Sequence, residues 1–219
     1  MIPGARLVLL GRQGAGKGTQ CVRLSRHYVI PHISTGDMLR SAVKEGTEFG
    51  MKAMAIMDRG ELVSDEVMGG VVDERLTSDD THNRGYVLDG FPRTVGQAEL
   101  LAKITTSKPL DLVIDLVVPV DVVLQRLAAR RVCTDCATNY SVDIPPRYGW
   151  VCDNCGGEVV QRADDTPQAI QKRLDLYERE TTPLIAWYQE HGLLAAVDGL
   201  GRADDVTARL VTAVDERRA

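Results

Sequence analysis

A glycine-rich segment near the start of the chain constrains the fold more than any other feature. The run Gly11-Arg12-Gln13-Gly14-Ala15-Gly16-Lys17-Gly18-Thr19 directly follows the apolar stretch Ala5–Leu10. A short buried strand, a glycine loop and a helix in this order fit the G-x-x-x-x-G-K phosphate-binding pattern. Glycines let backbone N–H groups surround phosphate oxygens, and the helix N-terminus adds partial positive charge. The segment predicts that Lys17 meets nucleotide phosphates, the alternative being a glycine-rich turn without a ligand.

The rest of the chain alternates between apolar β-rich runs and helical patterns. This alternation predicts an α/β core with a parallel sheet. The expected strands are residues 5–10, 28–33, 86–88, 110–118 and 193–197. The expected helices are residues 16–27, 37–44, 48–59, 65–76, 95–106, 119–131, 167–191 and 204–217. Thr182-Pro183 fits an N-cap and a first-turn proline, so we expect a break or kink in the helical stretch there.

Length and composition exclude several classes of protein. The chain has 219 residues, 44% apolar residues and a net charge of −5, as an ordinary globular protein would. The acidic balance argues against a protein that coats nucleic acid, which would need a basic surface. No stretch approaches the ~20 apolar residues of a membrane span, and no secretion signal is recognisable. We therefore expect a cytoplasmic protein with neither nucleic-acid nor membrane partners.

Four of the five cysteines lie in one short segment. The spacing Cys133-x2-Cys136-x15-Cys152-x2-Cys155 is typical of a closed, tetrahedral structural zinc site. The segment around it, residues 132–165, lacks a sustained helical period and is expected to be a small inserted module. Two disulfides or four incidental thiols are the alternative. Cys21, the fifth cysteine, is expected to be a buried helix residue.

Several motifs resemble those of one enzyme family. They are residues 14–20, 34–40, 58–63 and 88–93 with Gln97, the arginines of 126–131, and residues 161–165, 172–174 and 198–199. In this order and spacing the chain resembles the adenylate kinase family, in the long form with a four-cysteine zinc lid found in Gram-positive-like bacteria. Arg12-Gln13 departs from the Ala-Pro that the family usually has there. We expect altered local contacts from this departure, and not a loss of activity.

The resemblance implies both the fold and the reaction. The expected fold is α/β, a P-loop three-layer core with a parallel five-stranded sheet, formed by residues 1–33, 64–131 and 165–219. A helical flap, residues 34–63, would bind the monophosphate, and a lid, residues 132–164, would hold one structural Zn²⁺. The implied reaction is the reversible conversion of MgATP and AMP into two ADP, which serves nucleotide homeostasis. A monomer whose flap and lid close over both nucleotides is expected.

The resemblance also assigns roles to individual residues. The cations expected to act in catalysis are Lys17, Arg93, Arg130, Arg162 and Arg173. The residues expected to contact ATP are Gly14, Ala15, Gly16, Lys17, Gly18, Thr19, Arg126, Arg130, Asn139, Tyr140 and Gly201. Those expected to contact AMP are Thr35, Arg40, Glu61, Leu62, Val63, Gly90, Phe91, Pro92, Arg93, Gln97, Arg162 and Arg173. Asp89, at a strand end, is expected to hold Mg²⁺ through water, with Asp115 as a weaker rival.

Two of these arginines also carry a prediction about local structure. Arg126 and Arg130 are four residues apart in a predicted helix, which would put them on one face. Like charges at that spacing cost stability, and a phosphate between them would offset that cost. A solvated basic helix face is the alternative reading of these cations.

Three other functions remain open from the sequence. The chain could phosphorylate another monophosphate or use GTP, although Thr35 favours AMP because the pyrimidine-specific relatives tend to have Ala there. A regulatory nucleotide switch would need a guanine-recognition motif of the Asn-Lys-x-Asp type, which the sequence lacks. A zinc-ribbon nucleic-acid module is compatible with the cysteine pairs, but the acidic charge and the 5% aromatic content weigh against it.

Overall fold

A parallel five-stranded sheet forms the centre of the protein. The computed structural model describes residues 4–47, 50–51, 54, 56, 63–162 and 165–218. The central strands are β1 Arg6–Leu10, β2 His32–Ser34, β3 Tyr86–Asp89, β4 Leu112–Val117 and β8 Leu194–Asp198. Their order in the sheet is β2-β3-β1-β4-β8, and every neighbouring pair is parallel. The predicted α/β fold with five parallel strands is confirmed.

Helices connect and cover these strands. They are α1 Lys17–Tyr28, α2 Thr35–Lys44, α3 Asp65–Leu76, α4 Asp79–Arg84, α5 Val95–Ile104, α6 Val120–Ala129, α7 Pro167–Leu176, α8 Thr182–Glu190 and α9 Ala203–Arg218. A π-helical turn, Tyr177–Thr181, joins α7 to α8, so the break predicted near Thr182-Pro183 is confirmed. Most of the helix expected at residues 48–59 lies outside the described residues. No helix in the described part of the chain is both long and apolar enough to cross a membrane.

The alternation of side chains along β1 divides the core into two layers. Leu7 and Leu9 pack into an apolar cluster with residues of α1, α6 and α9. Val8 and Leu10 pack into a second cluster with residues of α3, α5 and α8. Successive residues of a strand point to opposite faces of the sheet, so helices bury both faces. The result is the three-layer core that the resemblance implied.

Three short strands form a second, smaller sheet between α6 and α7. They are β5 Arg130–Cys133, β6 Asn139–Ser141 and β7 Val159–Val160, in the antiparallel order β6-β5-β7. The only apolar cluster among the described residues of this sheet consists of Cys133, Cys152 and Val159, with Tyr140 packed against it. This small module corresponds to the predicted lid, although its domain boundaries stay predictions.

The strand expected at residues 28–33 is too long at its start. Tyr28 is the last residue of α1, where its hydroxyl donates to Asp215 Oδ1 at 2.8 Å. Val29 adopts a left-handed conformation (φ 55°) that ends the helix, and β2 begins only at His32. A short helix, α4, was not predicted at all.

The helix expected at residues 119–131 is too long at its end. It stops at Ala129, because Arg130 is extended and pairs with Ser141 as the first residue of β5. The prediction that Arg126 and Arg130 share a helix face is therefore wrong.

Candidate active site

One cleft at the carboxyl edge of the sheet brings the predicted nucleotide-binding residues together. Its volume is about 1110 Å³, and residues from the core, from α2 and from the small sheet line it. The lining includes Gly14, Ala15, Gly16, Lys17, Gly18, Thr19, Thr35, Arg40, Val63, Asp89, Gly90, Phe91, Pro92, Arg93, Gln97, Arg126, Arg130, Asn139, Tyr140, Arg162, Arg173 and Gly201. These are all of the predicted ATP, AMP and Mg²⁺ residues within the described ranges. Glu61 and Leu62 lie outside the described residues.

The glycine loop closes tightly between β1 and α1. Gly14 has a φ of +85°, and a Cβ there would lie 2.8 Å from Cγ of Leu127, so only glycine fits this position. Lys17 is half-buried, and its Nζ donates to the carbonyl oxygens of Gly11 at 2.7 Å and Arg12 at 3.1 Å. Burial lowers the pKa of Lys17, while the nearby Asp89 carboxylate raises it. The loop therefore holds a half-buried cation where phosphate would bind.

Arg93 is fixed by bonds to both its side chain and its backbone. Its Nε donates to the carbonyl of Gly90 at 2.8 Å, and its backbone N–H donates to Gln97 Oε1 at 2.8 Å. Gln97 is fixed in turn, since its Nε2 donates to Asp65 Oδ1 at 2.7 Å. The Thr181 hydroxyl donates to the carbonyl of Arg93 at 3.1 Å. Burial lowers the pKa of Arg93, but a guanidinium remains charged at neutral pH.

A buried carboxylate, Asp165, joins the small sheet to the core. Arg130 Nε donates to Asp165 Oδ2 at 2.8 Å, and Arg130 Nη2 bonds the other carboxylate oxygen. Arg173 Nη1 lies 3.9 Å from Asp165 Oδ1 and donates to Gln13 Oε1 at 3.2 Å. Asp165 and Gln13 were not predicted as site residues. The motif at residues 161–165 was the available signal for Asp165, while Gln13 stood out only as a departure from the usual loop.

Arg126 links the loops on the ATP side of the cleft. Its Nη1 donates to the carbonyl of Ala15 at 3.0 Å, and its Nη2 donates to the carbonyl of Gly199 at 3.3 Å. The guanidinium plane thus lies between the glycine loop and the loop after β8. A planar cation in this position is suited to stack on a nucleotide base.

The four lid cysteines form a cluster with the geometry of a metal site. All four sulfur atoms lie within 4.8 Å of one another. The Cys133 and Cys155 sulfurs are 3.4 Å apart, and those of Cys136 and Cys152 are 3.5 Å apart. Zn–S bonds of about 2.3 Å in a tetrahedron would place sulfurs about 3.8 Å apart, so the cluster fits one Zn²⁺ with little adjustment.

Backbone bonds support the same reading of the cysteine cluster. The backbone N–H of Asp135 donates to the Cys133 sulfur at 3.4 Å. The backbone N–H of Asn154 donates to the Cys152 sulfur, also at 3.4 Å. Such bonds hold a sulfur in a fixed direction, which is the function of the outer shell of a metal site.

Comparison with known proteins identifies the family. The sequence model described as "Adenylate kinase" matches residues 9–193. The chain is 50% identical over 205 residues to the adenylate kinase of Bacillus subtilis, covering 92% of this chain and 94% of the relative. It is 50% identical over 204 residues to that of Thermodesulfovibrio yellowstonii, with the same coverage, and 48% identical over 202 residues to that of Methanosarcina acetivorans, covering 91% and 94%.

The chain belongs to the adenylate kinase family. Its activity is therefore that of an ATP:AMP phosphotransferase, with Mg²⁺ accompanying ATP. The individual residue assignments stay predictions, because family membership alone does not test them.

Asp89 has the surroundings that an adenylate kinase needs in an Mg²⁺-binding carboxylate. Burial alone would raise its pKa, but His32, Lys17 and Arg93 lower it further than burial raises it. The carboxylate is therefore ionised at neutral pH. Since it also lines the cleft next to the glycine loop, its oxygens fit a hydrated Mg²⁺. The rival Asp115 is absent from the described lining of the cleft.

Arg12, which stands where the family usually has Ala, makes contacts with a distant part of the chain. Arg12 Nε and Nη2 donate to Glu178 Oε1 at 3.0 and 2.5 Å, and the guanidinium lies 5.4 Å from the centre of the Tyr177 ring. Both partners belong to the π-helical turn. Alanine, the usual residue at this position in the family, has no group that could make these contacts, while the expectation of preserved activity stays a prediction.

Proposed function

We propose that the cleft aligns MgATP and AMP for direct transfer of the terminal phosphoryl group. One observation supports this more than any other: twenty-two predicted contact residues from three parts of the chain line a single cleft. Lys17 and Arg93 come from the core edge, Arg130 from the first lid strand and Arg173 from α7. Two nucleotides bring many negative charges together, and converging guanidinium groups with a lysine can neutralise them.

The chemistry requires alignment rather than proton transfer. The acceptor is a phosphate oxygen of AMP that is already ionised, so no general base is needed. Catalysis then consists of holding the donor and acceptor in line and stabilising the charge of the transferring group. Lys17, Arg130, Arg162 and Arg173 would surround that group, and Asp89 would hold Mg²⁺ through water.

The two nucleotides would occupy opposite ends of the cleft. ATP would lie on the glycine loop, with its adenine against Arg126 and with Asn139, Tyr140 and Gly201 around it. AMP would lie against α2 and the loop after β3, its phosphate held by Arg40 and Arg93 and its base near Thr35 and Gln97. Val63, Gly90, Phe91 and Pro92 complete this pocket, and we assign Glu61 and Leu62 to it from the family motif.

The lid and the flap would close the cleft around both nucleotides. Lys44 Nζ of α2 lies 3.6 Å from Asp135 Oδ1 of the lid, so the two pieces approach each other across the opening. Closure would exclude water and so suppress wasteful ATP hydrolysis. One structural Zn²⁺ at Cys133, Cys136, Cys152 and Cys155 would hold the lid together.

We also propose a monomeric enzyme that acts in the cytoplasm. All the cations assigned to the reaction come from one chain, so the cleft does not require a second subunit. Light scattering of the purified protein, with and without nucleotides, tests this part of the proposal. A dimer whose dissociation abolishes activity would contradict it.

The nucleotide specificity is tested by following ADP formation by the purified protein. ATP with AMP should give rapid turnover, whereas ATP alone should give almost none, because the cleft uses AMP as the acceptor. UMP, CMP and GMP as acceptors, and GTP as donor, serve as matched comparisons. Stronger turnover with UMP or CMP than with AMP would contradict the role given to Thr35.

A further inference from the structure

Cys21, the one cysteine outside the lid, does not stand alone. Its sulfur, an imidazole nitrogen of His32 and a carboxylate oxygen of Asp89 all lie within 4.8 Å of one another. The three residues come from α1, β2 and β3, so the parallel sheet and the helix after the glycine loop bring them together. This cluster lies behind the glycine loop and is separate from the zinc cluster of the lid.

The imidazole of His32 faces the Asp89 carboxylate, but among the described residues its Nε2 makes no normal hydrogen bond. Its Nε2 is buried and makes no hydrogen bond within the described part of the chain. It lies 3.9 Å from Asp89 Oδ2, which is too far for a hydrogen bond. Buried polar atoms nearly always have a partner, so an unpaired nitrogen beside a thiol and a carboxylate calls for an explanation.

The spacing of the His32 and Asp89 donor atoms is close to that of two ligands on one small tetrahedral cation, and the Cys21 sulfur lies within 4.8 Å of both. With Zn–N and Zn–O bonds of about 2.0–2.2 Å, two ligand atoms on one ion lie about 3.4 Å apart. The separation of 3.9 Å between His32 Nε2 and Asp89 Oδ2 would have to shrink only slightly. Both side chains are largely buried, with 19% and 15% of their surfaces exposed, so they are already held close to this arrangement.

The donor types select the metal. Sulfur, imidazole nitrogen and carboxylate oxygen together suit Zn²⁺ or Cd²⁺, whereas Mg²⁺ prefers oxygen donors only. On binding, the cation would replace the thiol proton of Cys21, which would leave for solvent as the S–metal bond forms. Lys17, the neighbouring cation, bonds the carbonyls of Gly11 and Arg12 and so does not occupy this space as a ligand.

Two of the three residues of the cluster line clefts. Asp89 lines the nucleotide cleft described above. His32 lines a smaller cleft of about 450 Å³ together with Ser34, Asp37 and Met38. Two of the three donor residues therefore border surface openings, whereas Cys21 is fully buried.

We propose that Cys21, His32 and Asp89 form a second metal site, which takes a thiophilic divalent cation such as Zn²⁺ and inhibits the enzyme when occupied. Inhibition follows because the bound cation takes the carboxylate of Asp89 away from hydrated Mg²⁺. This consequence rests on the proposed role of Asp89 in the reaction, whereas the binding of the cation does not.

Zinc content without nucleotide tests the site directly. The zinc-loaded full-length protein is equilibrated with excess buffered Zn²⁺, and zinc per chain is measured. Wild type should hold two zinc ions, while Cys21→Ser and His32→Gln should each hold one. His27→Gln serves as the control, because His27 is an exposed histidine of α1, the helix that carries Cys21, and this variant should still hold two zinc ions. One zinc in wild type, or two in both site variants, would overturn the proposal.

Turnover at fixed free Zn²⁺ and saturating MgATP tests the consequence. Cys21→Ser should match wild-type turnover without added zinc, and its half-inhibiting Zn²⁺ concentration should be at least tenfold higher. Suppose that wild type holds two zinc ions but that wild type and Cys21→Ser are inhibited equally by Zn²⁺. The metal site would then stand, and the role given to Asp89 would be refuted. The failure of the site and the failure of the proposed Asp89 role are thus told apart.

Discussion

The two walls of the nucleotide cleft are held in place by different forces. On the core side, the glycine loop and the loop after β3 follow strands that are buried in two large apolar clusters. On the lid side, three short strands bury one small cluster around Cys133 and Cys152. A module with so little buried apolar surface is the kind that a metal cross-link stabilises, as the proposed zinc would do here.

This difference predicts how the two walls respond to substitution. The core wall keeps its shape through packing, so a change to one of its polar site residues should alter the chemistry and leave the fold intact. The lid wall would keep its shape through the proposed zinc, so the loss of a cysteine ligand should alter fold and chemistry together. Three substitutions, taken from the largest expected effect to the smallest, test this contrast.

Lys17→Ala should reduce kcat by about 10²–10³ or more, because removing one preorganised charge from a transition state costs on this order. Its stability should hardly change. Burial lowers the pKa of Lys17, which means that folding disfavours the charged form, and so removal of the charge relieves a cost. Steady-state turnover and the melting temperature measure the two effects.

Thr19→Ser provides a matched control, since it changes the same loop but keeps a hydroxyl and all charges. It should retain most of the wild-type turnover. Near-normal turnover of Lys17→Ala would refute the role of this lysine. A large drop in its melting temperature would instead show that the core wall depends on the cation for its fold.

The paired substitution Cys133→Ser with Cys136→Ser breaks the lid wall. The variant should lose its lid zinc, and the loss should lower its stability by about 2 kcal/mol, or roughly 4–8 °C in melting temperature for a chain of this size. Turnover should fall about tenfold, because Arg130, Asn139 and Tyr140 belong to the lid strands that the proposed zinc would support. Metal analysis after gel filtration, calorimetry and turnover check the three effects.

Thr134→Ala is the control for this pair, as an exposed residue between the two cysteines. It should keep one zinc ion and a nearly unchanged melting temperature. One zinc ion retained in the lid of the double variant would show that the ligand assignment is wrong. Full stability after the loss of zinc would show that the lid does not need the metal.

The sequence predicted the core side of the site better than the elements around it. The glycine loop and the helix at 65–76 were placed correctly, because their signals are local: glycines after an apolar run, and the acids Asp65 and Glu66 in the first turn of the helix. Arg130 was misplaced because its helical pattern is also local. Pairing of its backbone with Ser141 and of its guanidinium with Asp165 overrides that pattern.

The contacts between distant segments were not predictable in this way. Asp165 lies 35 residues from Arg130, and Gln13 lies 160 residues from Arg173. No periodicity or spacing in the chain relates such positions. Only the folded sheet and the helices packed on it bring them together, so the residues that orient the cations were missed while the cations themselves were found.

Arg12→Ala should have the smallest effect of the three. It removes the ion pair with Glu178, whose side chains are 26% and 51% exposed, and pairs this exposed contribute about 1 kcal/mol or less. Since the core wall holds the glycine loop by packing, we expect turnover within about threefold of wild type. The small effect on turnover is expected because glycine conformations and buried strands, rather than this ion pair, fix the glycine loop.

The pH dependence identifies the ion pair as the cause of any stability change. The hydrogen bond from Arg12 lowers the pKa of Glu178, so the pair adds stability above the ordinary pKa range of a glutamate. That stability is lost as the pH falls through the lowered pKa, because the carboxylate then takes up a proton. The difference in melting temperature between wild type and Arg12→Ala should therefore shrink toward zero at acid pH and at high salt.

Glu178→Gln should lower the melting temperature by as much as Arg12→Ala does, and the double variant should lose no more stability than either single variant. A tenfold or greater loss of turnover in Arg12→Ala would show instead that the core wall depends on the π-helical turn.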